Sequence, residues 1–176
     1  MIDLKLVHFF LFSIAFVGII DEYLYHFKKH SLYKVKEARL EFKLHITRNF
    51  LFFIIYTIVG MVTVTGSFVY FVFALLLLDI FVGFFDVLVE PSSRLSLGGL
   101  PGGEYFLHML LSFLLGMFHL SYFLYLWKLK GELTNIAISP HSYSGTLLVV
   151  IGVFSLILTI LKLSNLYKNR SLYPVK

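Results

Sequence analysis

Glu22/His26, Glu41/His45, Asp86/Glu90 and Glu104/His108 are four pairs of metal-capable side chains, each spaced i,i+4. On an α-helix that spacing puts both members of a pair on one face. Carboxylate and imidazole together are ligands for iron, manganese and zinc, and the set holds five carboxylates and three imidazoles. Five negative charges roughly balance two divalent or trivalent ions, and Asp21 and His30 lie nearby in sequence. One Glu-x-x-x-His alone means almost nothing. Its threefold recurrence, with an Asp-x-x-x-Glu beside it, points to a shared polyvalent site. Asp79 lies seven residues before Asp86, and His119 eleven after His108, so each shares a face with its neighbour. An Asp79–His119 pair reads either as a polar path running inward from the cluster or as one structural hydrogen bond between two helices.

The elements that must position these pairs are membrane spans. The chain of 176 residues is 59% hydrophobic and 14% charged, against about 25% charged residues in soluble domains. A bilayer crossing takes about 20 mostly apolar residues. Five such stretches fall within 4–29, 34–64, 67–90, 104–127 and 145–166. The expectation is an all-α integral membrane protein of one domain over 1–176, with four of its five transmembrane helices in a bundle around a polar cluster at the cytoplasmic end. The first span lacks a basic start and a small-residue cleavage site, so it reads as retained rather than as a signal peptide. Gly66 and Ser67 read as a very short turn between the second and third spans.

Span order then fixes where the pairs meet. Two pairs close the first and third spans and two open the second and fourth, so all four reach one edge. That edge holds twelve Lys and Arg residues, Arg170 and Lys176 among them, against three at the other. By the excess of basic residues on the cytoplasmic side, it is cytoplasmic, with the N-terminus outside and the C-terminus inside. A bacterial inner membrane is the expected location, and the net charge of +5 reflects this bias rather than nucleic-acid binding. The fifth span carries no carboxylate or imidazole and reads as packing. Lys128 to Ser144, with Pro140, reads as an ordinary outside loop.

Pro91 to Gly103 is the most unusual connection, with four glycines and two prolines. It reads as a plain connector or as a lid over the cluster, with Arg94 placed to bind a lipid phosphate. Lys28, Lys29, Lys34, Lys36, Arg39 and Lys43 are near enough in sequence to neutralise Glu22, Glu37 or Glu41. Tyr23, Tyr25, Tyr33, Tyr105, Tyr122 and Tyr125 fall near span boundaries, where aromatic rings favour the headgroup zone.

Without cysteine the chain has neither a disulfide framework nor a thiolate metal site. It has no Rossmann glycine motif, P-loop or nucleophile elbow. His26 and His30 form a single HxxxH, and HxxHH is missing, which sets the chain apart from the standard form of membrane desaturases. Soluble di-iron bundles present Glu and Glu-x-x-His ligands from four facing helices, an architectural analogy with i,i+3 rather than i,i+4 spacing. Asp21-Glu22-x-x-x-His26, Glu41-x-x-x-His45 and Gly103-Glu104-x-x-x-His108 also resemble the motifs of a family of small bacterial multi-pass membrane proteins. That resemblance covers three motifs in the first four helices and implies no activity. Where that family's third-helix motif has a histidine, this chain has Glu90.

The leading expectation is a metal-dependent oxidoreductase in the membrane, with iron or manganese favoured and zinc the alternative, acting on a lipid or lipid-soluble substrate. Its ligands would be the eight residues of the four pairs, and membrane lipid its first partner. The rivals are a small proton- or metal-ion-conducting protein using Asp79 and His119, and a non-catalytic subunit of a larger membrane complex or homo-oligomer.

Overall fold

The computed structural model describes residues 3–138 and 142–168. The readings placed on Pro140, Arg170 and Lys176 lie outside the described residues. Five helices order the chain: α1 (Leu4–Asp21), α2 (Arg39–Met61), α3 (Phe68–Arg94), α4 (Gly102–Leu129) and α5 (Tyr143–Lys168). Each, with α1 extended to Lys29 and α3 to Leu97, is long and apolar enough to cross a membrane. Phe9, Phe16, Phe71, Phe81 and Phe113 are each more than half exposed on the outer face of the bundle. Apolar exposure on that scale marks a surface built to meet something other than water.

The bundle is divided along its length. One half is an apolar core in which Val7, Leu11, Val59, Val72, Phe118 and Leu148 draw all five helices together. The other half, where α1 and α3 end and α2 and α4 begin, holds the polar cluster. Buried polar groups pin the helices between the two halves. Tyr56 Oη donates to the Leu11 carbonyl at 3.0 Å, and Ser155 Oγ to the Asn49 carbonyl at 3.0 Å.

Four boundaries depart from the sequence expectations. The helix expected from residue 34 starts at Arg39, after a 3-10 turn at Leu32–Lys34. It stops at Met61, because Val62–Thr65 is a run of β-branched residues that favour extended backbone. This β1 (Val62–Thr65) pairs antiparallel with β2 (Asn135–Ile138), Val62 opposite Ile138 and Thr65 opposite Asn135. A small ribbon therefore caps the end far from the cluster, where a bare turn and a loop were expected. Gly66 turns the chain out of it at φ 61°, and any side chain there would run into Thr134.

Helix α3 continues through Pro91 to Arg94, past the expected end at residue 90. Pro91 lacks an N–H. Ser92 Oγ and Ser93 Oγ donate to the Val89 and Glu90 carbonyls at 2.7 and 2.8 Å, supplying polar partners in this last turn. Gly98 and Gly99, at φ 85° and 90°, then turn the chain toward α4. The last departure is in the first span. Beyond Asp21 the helix widens into a π-helical segment, Glu22–Lys29, whose bonds run i→i+5, as in His30 N–H to the Tyr25 carbonyl at 2.9 Å.

Helices α2 and α5 meet along small residues. A Cβ at Gly145 would collide with the Gly60 carbonyl, and one at Gly60 with the Gly145 carbonyl. Close backbone approach of this kind is how helices associate where the hydrophobic effect cannot drive them. Gly145→Val should therefore lower stability by about 1–3 kcal/mol in detergent-solubilised unfolding. Gly116, with open space around it, is the control: Gly116→Ala should raise stability by about 0.5–1 kcal/mol. Equal effects of the two changes would refute the close α2–α5 crossing.

Candidate metal centre

The four pairs of the sequence reading lie at one end of the bundle, joined by one continuous chain of polar contacts. From α4, His108 Nδ1 meets Glu90 Oε1 at 2.6 Å and His108 Nε2 meets Asp21 Oδ2 at 3.1 Å. Asp21 Oδ2 is also 3.2 Å from His26 Nε2. His26 Nε2 stands 3.6 Å from Glu104, which accepts from His30 Nε2 at 2.8 Å. On the far side His45 Nε2 lies 3.2 Å from Asp86 and 3.8 Å from Glu41. The rings of His26 and His45 are 4.4 Å apart.

The π-helical segment decides which acid His26 meets. On a regular helix Glu22 and His26 would be the close pair. In the wider turn, residues five apart share a face. Asp21 accordingly stands at 3.2 Å from His26, and Glu22 at 3.9 Å on the other ring nitrogen. Segments of this type recur at functional sites because they re-aim a side chain without ending the helix.

Three cations that the sequence reading did not assign to the cluster are built into it. Arg94 is fully buried and donates to Glu41 at 2.8 Å and to Glu104 at 2.7 Å. It is therefore not available to a lipid phosphate. Ser93 Oγ lies within hydrogen-bond reach of Glu41 as well, so its single proton serves either Glu41 or the Glu90 carbonyl. Lys162 of α5 pairs with Glu22 at 2.7 Å, so the fifth helix supplies charge as well as packing. Arg48 pairs with Asp86 at 3.2 Å. Lys28 and Lys29, the lysines nearest Glu22 in sequence, lie over the rings of Tyr23 and Tyr25. Two of the three cations had a signal in the sequence. Arg48 and Lys162 interrupt apolar helical runs, where an unpaired charge is costly. Arg94 sits in a stretch whose Gly and Pro content disguised it as a loop.

The donor atoms do not converge on one centre. They form three overlapping sets whose atoms lie within 4.8 Å of one another: Asp21, His26 and His108; Glu22, His26 and His45; and Glu90, Glu104 and His108. Glu41 and Asp86 fall in none of these sets. The first set is the best formed. Tetrahedral ligands at about 2.0–2.2 Å from an ion stand about 3.3–3.6 Å apart, and the Asp21 edges measure 3.1 and 3.2 Å. Neither ring nitrogen of His26 makes a well-aligned hydrogen bond, although Asp21 stands 3.2 Å from Nε2 and the residue is only 4% exposed. Buried nitrogens without a well-made hydrogen bond are rare, and an ordered water or an ion that uses their lone pairs is one account of them. Glu90 on His108 Nδ1 stands where a carboxylate would orient that imidazole if its Nε2 were a metal ligand.

Asp79 and His119 are brought together deeper in the bundle, with His119 Nε2 3.2 Å from Asp79 Oδ2. His119 Nδ1 donates to the Leu115 carbonyl at 2.7 Å, which fixes the ring. Among the described residues this pair stands apart from the cluster, separated from it by Val82 on α3 and by Leu111 and Leu115 on α4.

A cavity of about 430 Å³ opens beside the cluster. Asp21, Glu22, His26 and His45 line its polar end, and Ile14, Gly18, Phe52, Leu115, Ile151 and Phe154 its apolar length. The chain matches no protein-family model, no curated protein and no solved structure.

Arg94→Met should cost about 3–5 kcal/mol of stability, because Glu41 and Glu104 would be left buried without their cation. Arg94→Lys, which keeps one charge, should cost less. An unchanged denaturation midpoint for Arg94→Met would show that the two carboxylates are neutralised in another way. Asp79→Asn should be nearly silent, since an amide can donate to His119 Nε2, whose Nδ1 already donates to the Leu115 carbonyl. Asp79→Ala should cost about 1–3 kcal/mol, and comparable losses in the two variants would contradict a hydrogen-bonded pair.

Proposed function

We propose that this chain is an integral membrane enzyme whose metal centre works on a lipid-soluble substrate. The observation that carries the reading is the coincidence of two features. A set of converging oxygen and nitrogen donors, with His26 left without a well-aligned hydrogen bond, forms the end wall of an apolar cavity. The cavity volume falls in the range of about 300–1,000 Å³ typical of small-molecule sites. Its flanks belong to helices whose outer faces are apolar, so an occupant reaches it from lipid. The positive-inside bias supports a cytoplasmic position for this end of the bundle.

Charge limits how many ions the site takes. Asp21, Glu22, Glu41, Asp86, Glu90 and Glu104 carry six negative charges, against three positive ones on Arg48, Arg94 and Lys162. The remainder of three is smaller than sequence alone implied. It suits one or two divalent ions and disfavours a pair of trivalent ones. With neutral imidazoles and carboxylates as donors and no thiolate, iron, manganese and zinc are the fitting ions. Iron or manganese would supply redox chemistry, and zinc Lewis-acid chemistry alone.

The protein's own groups have separable tasks. Asp21, His26 and His108 hold the first ion, and Glu22 and His45 offer a second position across the His26 ring. Glu90 fixes His108, and Arg94 fixes Glu104 and so the end of α4. The apolar flanks keep water from the reacting end of the substrate.

Purified wild-type protein should carry about one equivalent of a transition metal or more by elemental analysis. His26→Ala should lower this clearly, because two of the three donor sets lose their shared member. Glu90→Gln should weaken metal binding about 10–100-fold, and His119→Ala should leave it intact. Metal-free wild type, or a His26→Ala variant as loaded as wild type, would end the metal reading. A proton or ion conduit through Asp79 and His119 is the second reading, favoured by that buried pair. Liposome flux abolished by Asp79→Asn with metal content unchanged would select it.

A further inference from the structure

The cavity holds hydrogen-bond donors that no partner in the protein uses. Arg48 and Asn49 line it one turn beyond His45 on α2. Arg48 Nε and Asn49 Nδ2 are both buried, and neither makes a hydrogen bond. A buried donor left unpaired costs about 1–3 kcal/mol, so two side by side in a cavity wall mark the place of a missing acceptor. The acceptor has no spare charge to meet. Arg48 already faces Asp86 at 3.2 Å, and Lys162, the other cation on the wall, faces Glu22 at 2.7 Å. A carboxylate or phosphate entering here would stand beside those two acids without a free counter-charge. A neutral oxygen would not.

The rest of the wall specifies a chain. Beyond Arg48 and Asn49 the lining turns apolar, with Phe52, Ile14 and Ile151 toward the middle of the bundle. Gly18 leaves the α1 side open: a Cβ built there meets nothing within 4 Å. We propose that the cavity binds a single long apolar chain ending in a neutral oxygen function, a hydroxyl or carbonyl. The oxygen accepts from Arg48 and Asn49, the chain end lies beside His45, and the tail runs between α1 and α5 toward Ile14 and Ile151. This rests on the metal-enzyme reading only for what happens afterwards. It deepens that reading by placing the polar end of the chain, not its middle, at the ligand cluster.

The test uses full-length protein in phosphatidylcholine vesicles and three photoreactive probes of equal length: a diazirine-bearing hexadecanol, the matching hexadecanal and the matching hexadecanoic acid. The alcohol, the aldehyde or both should label peptides of α1, α2 and α5 that face the cavity, and which of them does so distinguishes hydroxyl from carbonyl. Unlabelled alcohol or aldehyde should compete. The acid should label these peptides about tenfold less. Gly18→Trp should remove cavity labelling while metal content stays at the wild-type value. Asn49→Leu, a milder change, should weaken labelling by the oxygen-bearing probe about tenfold and leave labelling by an oxygen-free diazirine alkane unchanged. The inference is overturned if labelling spreads over all lipid-facing helices alike in wild type and Gly18→Trp, or if the acid labels as well as the alcohol and aldehyde. Metal-free wild type with cavity labelling intact would overturn the enzyme reading alone. Metal-loaded wild type without cavity labelling would overturn the chain-binding site alone.

Discussion

Arg94 holds two carboxylates from different helices, Glu41 of α2 and Glu104 of α4, with no water to share the work. Each ion of such a trio has given up its hydration, and only close mutual contact repays that loss. The ends of α2, α3 and α4 are therefore committed to one arrangement. That arrangement presents His45 and His108 to the space between them, and His30 adds its own bond to Glu104 from the chain after α1. The rest of the polar half is organised around this point. Asp86 is held by Arg48 and Glu22 by Lys162, so acids that would otherwise repel one another stand within a few ångströms.

A cluster this acidic is stable inside an apolar bundle because its cations are internal. Had the neutralising charge come from surface lysines, water would have had to follow it in. Arg48, Arg94 and Lys162 neutralise these acids from within the bundle. The cavity between α1, α2 and α5 can then join an apolar interior to a charged end wall. In such a setting the net charge of the cluster, rather than its count of ligands, decides what it can hold.

Much of this was legible in the sequence because span order needs only hydropathy. Five apolar stretches fix which end each of Glu22, Glu41, Glu90 and Glu104 must reach, whatever the boundaries. What was not legible depends on contacts between elements. Val62–Thr65 looked like the end of a helix, although its β-branched run was a local warning, and its strand exists because Asn135–Ile138 pairs with it. Pro91 looked like a stop, yet α3 runs on to Arg94. Asp21 was left as a neighbour of the cluster because the i,i+4 rule gave its place to Glu22, and nothing in the run Glu22–Lys29 announces i→i+5 bonding.

That π-helical segment carries a consequence for how this protein can vary. A turn closed by i→i+5 bonds contains one residue more than an α turn. Asp21 reaches His26 only because that extra residue is present. Side chains between them, such as Tyr23 and Leu24, are exposed to the outside and have latitude in type. The number of residues has none. Losing or gaining one between Asp21 and His26 would leave composition and hydropathy almost untouched, yet it would give the imidazole a different acid. In this stretch of the chain, length is the quantity that geometry constrains, and spelling is secondary.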